Sequence, residues 1–254
     1  PERLAVEMER FGEQHGDVAR ALVAQAVAQR DGLVERLDST LALPELQGAP
    51  GVLLYDIESD PDARHDFLHG FLRLPRQSDG RWDLAAATYH PLLVMAEHGE
   101  QRSWLRLQRL LSRYDGWPIL HYGETETLSL RRLAQRQGAS DAQLRRLKRR
   151  LVDVHARIRS HWRLPLSSYG LKSVAAWRGF RWSQAGVDGA RALLWWRQWL
   201  GEGPKRRGSR HGLAWIFRYN QDDCRATWAV AEWLLKEDDL LKTGPDTDQP
   251  TAGP

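Results

Sequence analysis

The first residues of this chain that could do chemistry are two acids separated by one residue, in Asp56-Ile57-Glu58. They follow the apolar run 52–55, which is typical of a buried central strand. Side chains two apart on a strand point to the same face, so both carboxylates leave the strand together. Two neighbouring carboxylates repel each other unless a cation lies between them, which indicates a divalent metal site. The alternative is a strand that ends in an acidic turn, because two more aspartates follow closely.

A second group of such residues lies in Tyr219-Asn220-Gln221-Asp222-Asp223-Cys224. Apolar residues at helical spacing predict a helix over 212–235. Tyr219 and Asp223 are four residues apart and therefore share one face of that helix. Asp223 lies beside the apolar stripe, where a carboxylate without a partner is costly. The alternative is an exposed polar pair on the helix surface.

A third group follows a short predicted strand, in His121-Tyr122-Gly123-Glu124-Thr125-Glu126. Acids and hydroxyls are favoured in the first turn of a helix, so capping could explain both glutamates. The three groups together supply hard oxygen ligands of the kind that Mg²⁺ and Mn²⁺ prefer. Two such ions ~3.5–4 Å apart activate water and stabilise the leaving oxygen in phosphodiester hydrolysis.

The elements that must position these residues are mostly strands in the first half of the chain and mostly helices in the second half. Strands are predicted over 52–58, 66–74, 82–89, 118–122 and 151–154. Helices are predicted over 4–36, 97–114, 124–137, 141–150, 169–177, 189–200 and 212–235. Three neighbouring strands followed by alternating helices and strands predict an α/β domain with a mixed sheet flanked by helices.

Composition restricts the class of protein further. With 42% apolar and 28% charged residues, the 254-residue chain can bury an ordinary globular core. A net charge of +4 permits a polyanionic partner without requiring one. Cys224 is the one cysteine, which excludes a disulfide framework and favours a reducing, cytoplasmic setting. The sequence has no apolar run of about 20 residues and no signal peptide, so we expect no membrane association.

The order and spacing of the three motifs resemble those of the DnaQ-like 3′–5′ exonucleases, which have the ribonuclease H-like fold. The resemblance is closer to YprB-type ribonuclease H-like domains, including those at the C-terminus of RecB-like nucleases. The matching stretches span residues 52 to about 235: Leu54-Tyr55-Asp56-Ile57-Glu58, Ile119-Leu120-His121-Tyr122, Glu126 with Leu130-Arg131-Arg132-Leu133-Ala134, Leu164-Pro165, Ser168-Tyr169-Gly170-Leu171-Lys172 and Tyr219-Asn220-Gln221-Asp222-Asp223-Cys224. The resemblance implies a mixed five-stranded sheet in the order 3-2-1-4-5.

The resemblance also implies a role for each motif residue. Asp56, Glu58, Glu126 and Asp223 would hold two Mg²⁺ or Mn²⁺ ions, and Tyr219 would orient the attacking water. The wider family has an aspartate where this chain has Glu126, which is a departure from its pattern. Glu124 is the alternative ligand near Glu126, and Asp222 is the alternative near Asp223, although on a helix it points about 100° away.

Two basic clusters could contact a nucleic acid backbone, at 145–150 and at Lys205-Arg206-Arg207-Gly208-Ser209-Arg210. Solvated surface is the alternative for each. The second cluster is the better candidate because it precedes the helix of Tyr219 and Asp223. We therefore expect Lys205, Arg206, Arg207 and Arg210 to bind phosphates from a mobile loop beside the cleft.

These observations predict an enzyme that hydrolyses single-stranded DNA or RNA ends in the 3′–5′ direction. The alternatives are a weakly active or inactive nucleic-acid-binding module of a larger nuclease or helicase, and a purely structural interaction domain. The expected organisation is a helical extension over 1–48, a ribonuclease H-like domain over 49–240 and a disordered tail over 241–254. A chain that opens with Pro1 is expected to be part of a longer protein.

Overall fold

The computed structural model describes residues 13–95, 99–202 and 209–243. In chain order, the strands are β1 (Glu35–Arg36), β2 (Gly51–Asp60), β3 (His65–Pro75), β4 (Thr88–Leu93), β5 (Ile119–His121), β6 (Leu151–Asp153) and β7 (Trp162–Arg163). The helices are α1 (Glu13–Asp31), α2 (Gly99–Arg113), α3 (Glu124–Arg136), α4 (Asp141–Arg150), α5 (Val154–His161), α6 (Leu171–Trp177), α7 (Gly189–Glu202) and α8 (Ser209–Thr243), and a 3₁₀ turn covers Pro44–Leu46.

Five of the strands form one mixed sheet in the order β4-β3-β2-β5-β6. The pairs β2–β3 and β3–β4 are antiparallel, whereas β2–β5 and β5–β6 are parallel. When the five strands are counted along the chain, this order is 3-2-1-4-5, so the predicted sheet is confirmed. The short strands β1 and β7 pair separately.

The central strand β2 is buried on both faces, and its side chains alternate between two cores. Val52 and Leu54 belong to the core beneath α5, α6 and α8, whereas Leu53 and Tyr55 belong to the core beneath α2, α3 and α4. This period-2 alternation decides which helices the acids of β2 will face. Asp56 has the parity of Val52 and Leu54, and it therefore lies on the face that α8 covers.

The third strand of the sheet was placed wrongly by the sequence pattern, which predicted it over 82–89. The chain instead turns through 76–87, where Asp83 Oδ1 accepts a hydrogen bond from the Ala86 amide, and β4 begins at Thr88. Trp82 forms only an isolated bridge with Arg76, and its ring packs 4.8 Å from that of Trp228. Trp82 is thus partly buried against the core by its ring contact, not by strand pairing.

Three helix boundaries also differ from the prediction by more than two residues. The first helix ends at Asp31, because Gly32 adopts a left-handed φ of +68° that terminates it, and its predicted start lies outside the described residues. The last helix is longer than predicted: α8 starts at Ser209 and runs to Thr243. The predicted tail therefore begins within a helix, and residues 244–254 lie outside the described part.

Candidate metal centre

Three carboxylates meet where β2 passes under α8. One oxygen each of Asp56, Glu58 and Asp223 lies within 4.8 Å of the other two. Asp56 is partly buried, whereas Glu58 and Asp223 are buried. Asp56 and Glu58 leave β2 on the face covered by α8, and Ile57 packs into the opposite core. Strand parity and the crossing of α8 over β2 therefore bring together acids that lie far apart in the chain.

Helix α8 contributes Tyr219 to the same site as Asp223. The two residues are four apart and share one helix face, and Tyr219 lowers the pKa of Asp223. The indole Nε1 of Trp182 donates a hydrogen bond to Asp223 Oδ1 at 2.7 Å. The bond from Trp182 thus holds the Asp223 carboxylate from the side of the loop that precedes α7.

The electrostatics of the cluster favour a bound cation. Burial, followed by the charges of Asp223 and Glu58, raises the pKa of Asp56 well above its usual value. Burial and the charge of Asp223 likewise raise the pKa of Glu58. Burial raises the pKa of Asp223 to about 6, against the hydrogen bond from Trp182 and the pKa-lowering effect of Tyr219. A carboxylate cluster with raised pKa values gains stability when a positive charge enters it.

Lys172 at the start of α6 is a cation close to this cluster. Its charge lowers the pKa of both Glu58 and Asp223, although burial outweighs it in each case. The ammonium lies 5.3 Å from the ring centroid of Tyr219 and donates to the Val187 carbonyl at 2.8 Å. The side chain is exposed, so it remains accessible from solvent beside Tyr219.

Glu126 lies outside the group of three but interacts with it electrostatically. It projects from the first turn of α3, is 8% exposed, and its charge raises the pKa of Asp56 and Glu58. Burial, followed by the charges of Asp153, Asp223 and Asp66, raises its own pKa to about 7. Its Oε2 is buried and has no hydrogen-bond partner within the described ranges. The structure thus brings three of the four predicted ligands together and places the fourth near them.

The two alternative ligands have other surroundings. Glu124, two residues before Glu126, is exposed on α3. The Asp222 carboxylate accepts hydrogen bonds from the backbone amide and hydroxyl of Ser183 at 2.8 and 2.6 Å. The Asp222 carboxylate therefore anchors the loop that precedes α7. Helical geometry directs it away from the Asp223 carboxylate.

Asn220 is a residue of the site to which sequence reasoning gave no role. Its Nδ2 donates to Asp56 Oδ2 at 2.7 Å and lies 3.5 Å from Glu58 Oε1. Its Oδ1 accepts a hydrogen bond from the Tyr89 hydroxyl at 2.7 Å. The sequence signal that could have indicated this role is the position of Asn220 directly after Tyr219. That position does not show which strand the amide would contact.

The predicted phosphate-binding loop falls almost wholly beyond the described ranges. Lys205, Arg206 and Arg207 lie outside the described residues, and Arg210 lies in α8 with an undescribed side chain. Cys224, the one cysteine, lies within the described part of the chain. Its thiol is fully buried and lies 3.8 Å from the Gly70 carbonyl. In the described part of the chain, no helix is both long and apolar enough to cross a bilayer.

The residues present fit a hard divalent cation. All the groups that converge are carboxylates, which Mg²⁺ and Mn²⁺ prefer over softer ligands. The unpartnered Glu126 Oε2 offers a further oxygen close to the three clustered acids. The cluster could hold a metal ion through Asp56, Glu58 and Asp223.

A mixed sheet in this order, flanked by helices and carrying acids on its central strand, is the architecture of a ribonuclease H-like domain. A family model described as RNase_H superfamily matches residues 53–235. The chain belongs to this superfamily, whose members are nucleases that bind nucleic acid and whose fold is associated with divalent metal ions. No curated protein and no solved structure gives a significant match.

The raised pKa values predict that the metal-free protein loses stability as the pH rises. A carboxyl group whose pKa is raised on folding stabilises the folded state below its unfolded pKa, and this contribution is lost as the pH passes its folded pKa. For Glu126 the window runs from its usual value of 4.5 to about 7. Its contribution is at most about 3 kcal/mol.

Urea unfolding in chelator between pH 4.5 and 8 would measure this effect. The Glu126→Gln variant should gain stability relative to wild type as the pH rises, whereas Glu124→Gln should not, because Glu124 is exposed. A stability difference between wild type and Glu126→Gln that does not change with pH would contradict the buried, proton-binding environment of Glu126.

Proposed function

We propose that this domain hydrolyses nucleic acid phosphodiester bonds as a metal-dependent 3′–5′ exonuclease. The observation that carries the proposal is the convergence of Asp56, Glu58 and Asp223 beneath Tyr219. The resemblance of the motifs to YprB-type domains, and of these in turn to DnaQ-like exonucleases, supports the 3′–5′ direction and single-stranded ends as substrate.

In this proposal each residue has a defined task. Asp56, Glu58 and Asp223, with Glu126 beside them, hold two Mg²⁺ or Mn²⁺ ions. The ions would supply positive charge for the phosphoryl oxygens and lower the pKa of a bound water. The Tyr219 hydroxyl, on the same helix face as Asp223, orients the attacking water. The Lys172 ammonium, exposed beside Tyr219, attracts the phosphate to the cluster.

The proposed organisation is a catalytic domain over residues 49–240 with a helical extension before it. Helix α1 contacts the domain through Gln25, whose Nε2 donates to the carbonyls of Leu164 and Leu166 at 2.9 and 3.0 Å. We infer that this helix supports the 164–170 segment, which leads into the helix that carries Lys172. Such an extension also suits a domain that works within a longer nuclease chain.

End-labelled single-stranded DNA and RNA, incubated with Mg²⁺, with Mn²⁺ and with chelator, test the proposed function. The expected result is stepwise shortening of a 5′-labelled strand in the presence of either metal and none in chelator. A strand blocked at its 3′ end by a terminal phosphorothioate linkage serves as the matched substrate control. Protein that binds these strands but leaves them intact under every metal condition would instead be a binding module.

The basic segment 205–210 is expected to bind the substrate backbone. Neutralising Lys205, Arg206, Arg207 and Arg210 together should weaken binding evenly across sequences. It should also flatten the salt dependence by about one unit of log–log slope for each phosphate that the variant no longer neutralises. Filter binding in chelator, at salt concentrations of roughly 50 to 200 mM, measures this without cleavage. An unchanged slope would mean that the segment is only solvated surface.

A further inference from the structure

A chain of hydrogen bonds connects the edge strand of the sheet to the acids of the central strand. The Tyr89 hydroxyl on β4 donates to Asn220 Oδ1, and Asn220 Nδ2 donates to Asp56 Oδ2 and approaches Glu58 Oε1. Asn220 is fully buried in α8. We propose that Tyr89 and Asn220, with Gly70 beneath them, are positioning residues that set the affinity of this site for its metal ions. This inference deepens the proposed function and rests on it.

The two carboxylates and the Tyr89 hydroxyl together determine which way the amide points. A side-chain amide can rotate to present either its oxygen or its nitrogen, and an oxygen facing Asp56 and Glu58 would be repelled by both carboxylates. Because the carboxylates can only accept, the NH₂ group faces them, and the Tyr89 hydroxyl then donates to the amide oxygen on the side of β4 and holds the amide in place. In a fully buried amide, losing that partner leaves an acceptor unsatisfied, which favours a shift of the side chain away from this position.

A neutral donor suits this position better than a charged one. The amide bonds one oxygen of Asp56 and lies at the limit of bonding to one of Glu58, and it leaves the second oxygen of each free of the amide. A lysine or arginine there would neutralise the carboxylates and compete with a metal ion. The amide instead orients the two carboxylates relative to each other. It leaves their negative charge available to a metal ion.

Gly70 makes the approach of Asn220 possible. It lies directly opposite Asp56 in the β2–β3 ladder, on the face that α8 covers. A Cβ added at Gly70 would lie 1.6 Å from Asn220 Oδ1 and 2.8 Å from the Tyr89 hydroxyl. Any other residue at this position would fill the space that the amide occupies. The strands β3 and β4 and the helix α8 therefore each contribute one residue, Gly70, Tyr89 and Asn220, to the arrangement that orients the acids of β2.

Mn²⁺ binding to the full chain tests the inference by a double-mutant cycle. Asn220→Ala should weaken Mn²⁺ binding about 10–100-fold, the usual range for a partner that orients a metal ligand. Tyr89→Phe should weaken it less, by about three- to tenfold, because the amide remains but its oxygen loses its partner and the side chain is free to shift. In the Asn220→Ala background, Tyr89→Phe should have no further effect, since Tyr89 acts through the amide.

Tyr169→Phe is the matched control, because it also removes a partly buried hydroxyl, one that contacts Leu164 and Gln25 instead. Its Mn²⁺ affinity should equal that of wild type. Thermal unfolding in chelator confirms that each variant is folded. If Asn220→Ala does not fold, Tyr89→Phe compared with Tyr169→Phe decides the question alone. Equal Mn²⁺ affinities in that pair, or additive effects in the cycle, would overturn the inference.

The readout separates this inference from the proposed function. Metal binding is measured without substrate, so a wild-type protein that binds Mn²⁺ through a coupled Tyr89–Asn220 pair and cuts nothing sustains the inference while the exonuclease proposal fails. Conversely, a protein that cleaves strands while the cycle shows additive effects sustains the function and overturns the inference. A wild-type protein without measurable Mn²⁺ binding overturns both.

Discussion

Replacement of Asp56 or Asp223 by asparagine is expected to abolish metal-dependent cleavage while the protein remains folded. Each change keeps the side-chain size but removes the negative charge that a hard cation requires. The loss should exceed about a hundredfold, the upper range for removing a group that only orients a metal ligand. Each change also relieves repulsion within the cluster, so the metal-free variant should be at least as stable as wild type.

The neighbouring aspartate provides a matched control for this experiment. Asp222→Asn changes the adjacent residue, whose carboxylate accepts from Ser183 rather than facing the cluster, and it should retain cleavage and Mn²⁺ binding. Tyr219→Phe should lose part of the rate and keep its metal affinity, because it removes only the hydroxyl. Undiminished cleavage in both Asp56→Asn and Asp223→Asn would show that these carboxylates are not the catalytic ones.

Gly70→Ala is expected to have the second-largest effect, although Gly70 has no side chain to offer a metal. Its added Cβ would collide with Asn220 Oδ1, at 1.6 Å, so the amide must move away from Asp56. Forcing a methyl group into a packed core costs about 1–3 kcal/mol. Mn²⁺ affinity should fall to the level of Asn220→Ala, since both variants lose the same donor.

A second substitution distinguishes the clash from a general loss of structure. In the Gly70→Ala/Asn220→Ala double variant the collision with Asn220 is removed and only the 2.8 Å approach to the Tyr89 hydroxyl remains, so stability should partly recover relative to Gly70→Ala while Mn²⁺ affinity stays low. Gly201→Ala in α7 is the control, because within the described residues its added Cβ meets nothing within 4 Å outside its own stretch of helix. Urea unfolding and Mn²⁺ titration measure both quantities. A Gly70→Ala protein with wild-type stability and Mn²⁺ affinity would show that Asn220 does not approach Gly70 so closely.

The class of fold could be predicted because its signals are local. The apolar run 52–55 marks a buried central strand, and the progression from strands to helices restricts the layers around it. The relation between Asp56 and Glu58 is likewise a consequence of strand periodicity, and that between Tyr219 and Asp223 of helical periodicity. Neither relation requires knowledge of what lies opposite in the fold.

Predictions from the local sequence pattern were wrong or incomplete where a long-range contact decides the conformation. Trp82 has the apolar character of a strand residue, yet its ring packs near Trp228 on α8, and the edge strand begins only at Thr88. The sequence around Glu124 and Glu126 also left both open as ligands. Only the way α3 packs against the sheet exposes Glu124 and buries Glu126.

The sequence alone determined the types of ligand, their pairing within each element and the order of strands, because these depend on residue periodicity and family resemblance. The tertiary structure decided which residues complete the site. Trp182 reaches Asp223 across 41 residues, and Asn220 reaches Asp56 across 164. Such contacts depend on the distance between packed elements, and at Gly70 that distance leaves no room for a single extra carbon. The residue pattern of a single segment does not reveal this distance, because the space at Gly70 is defined jointly by β3, β4 and α8.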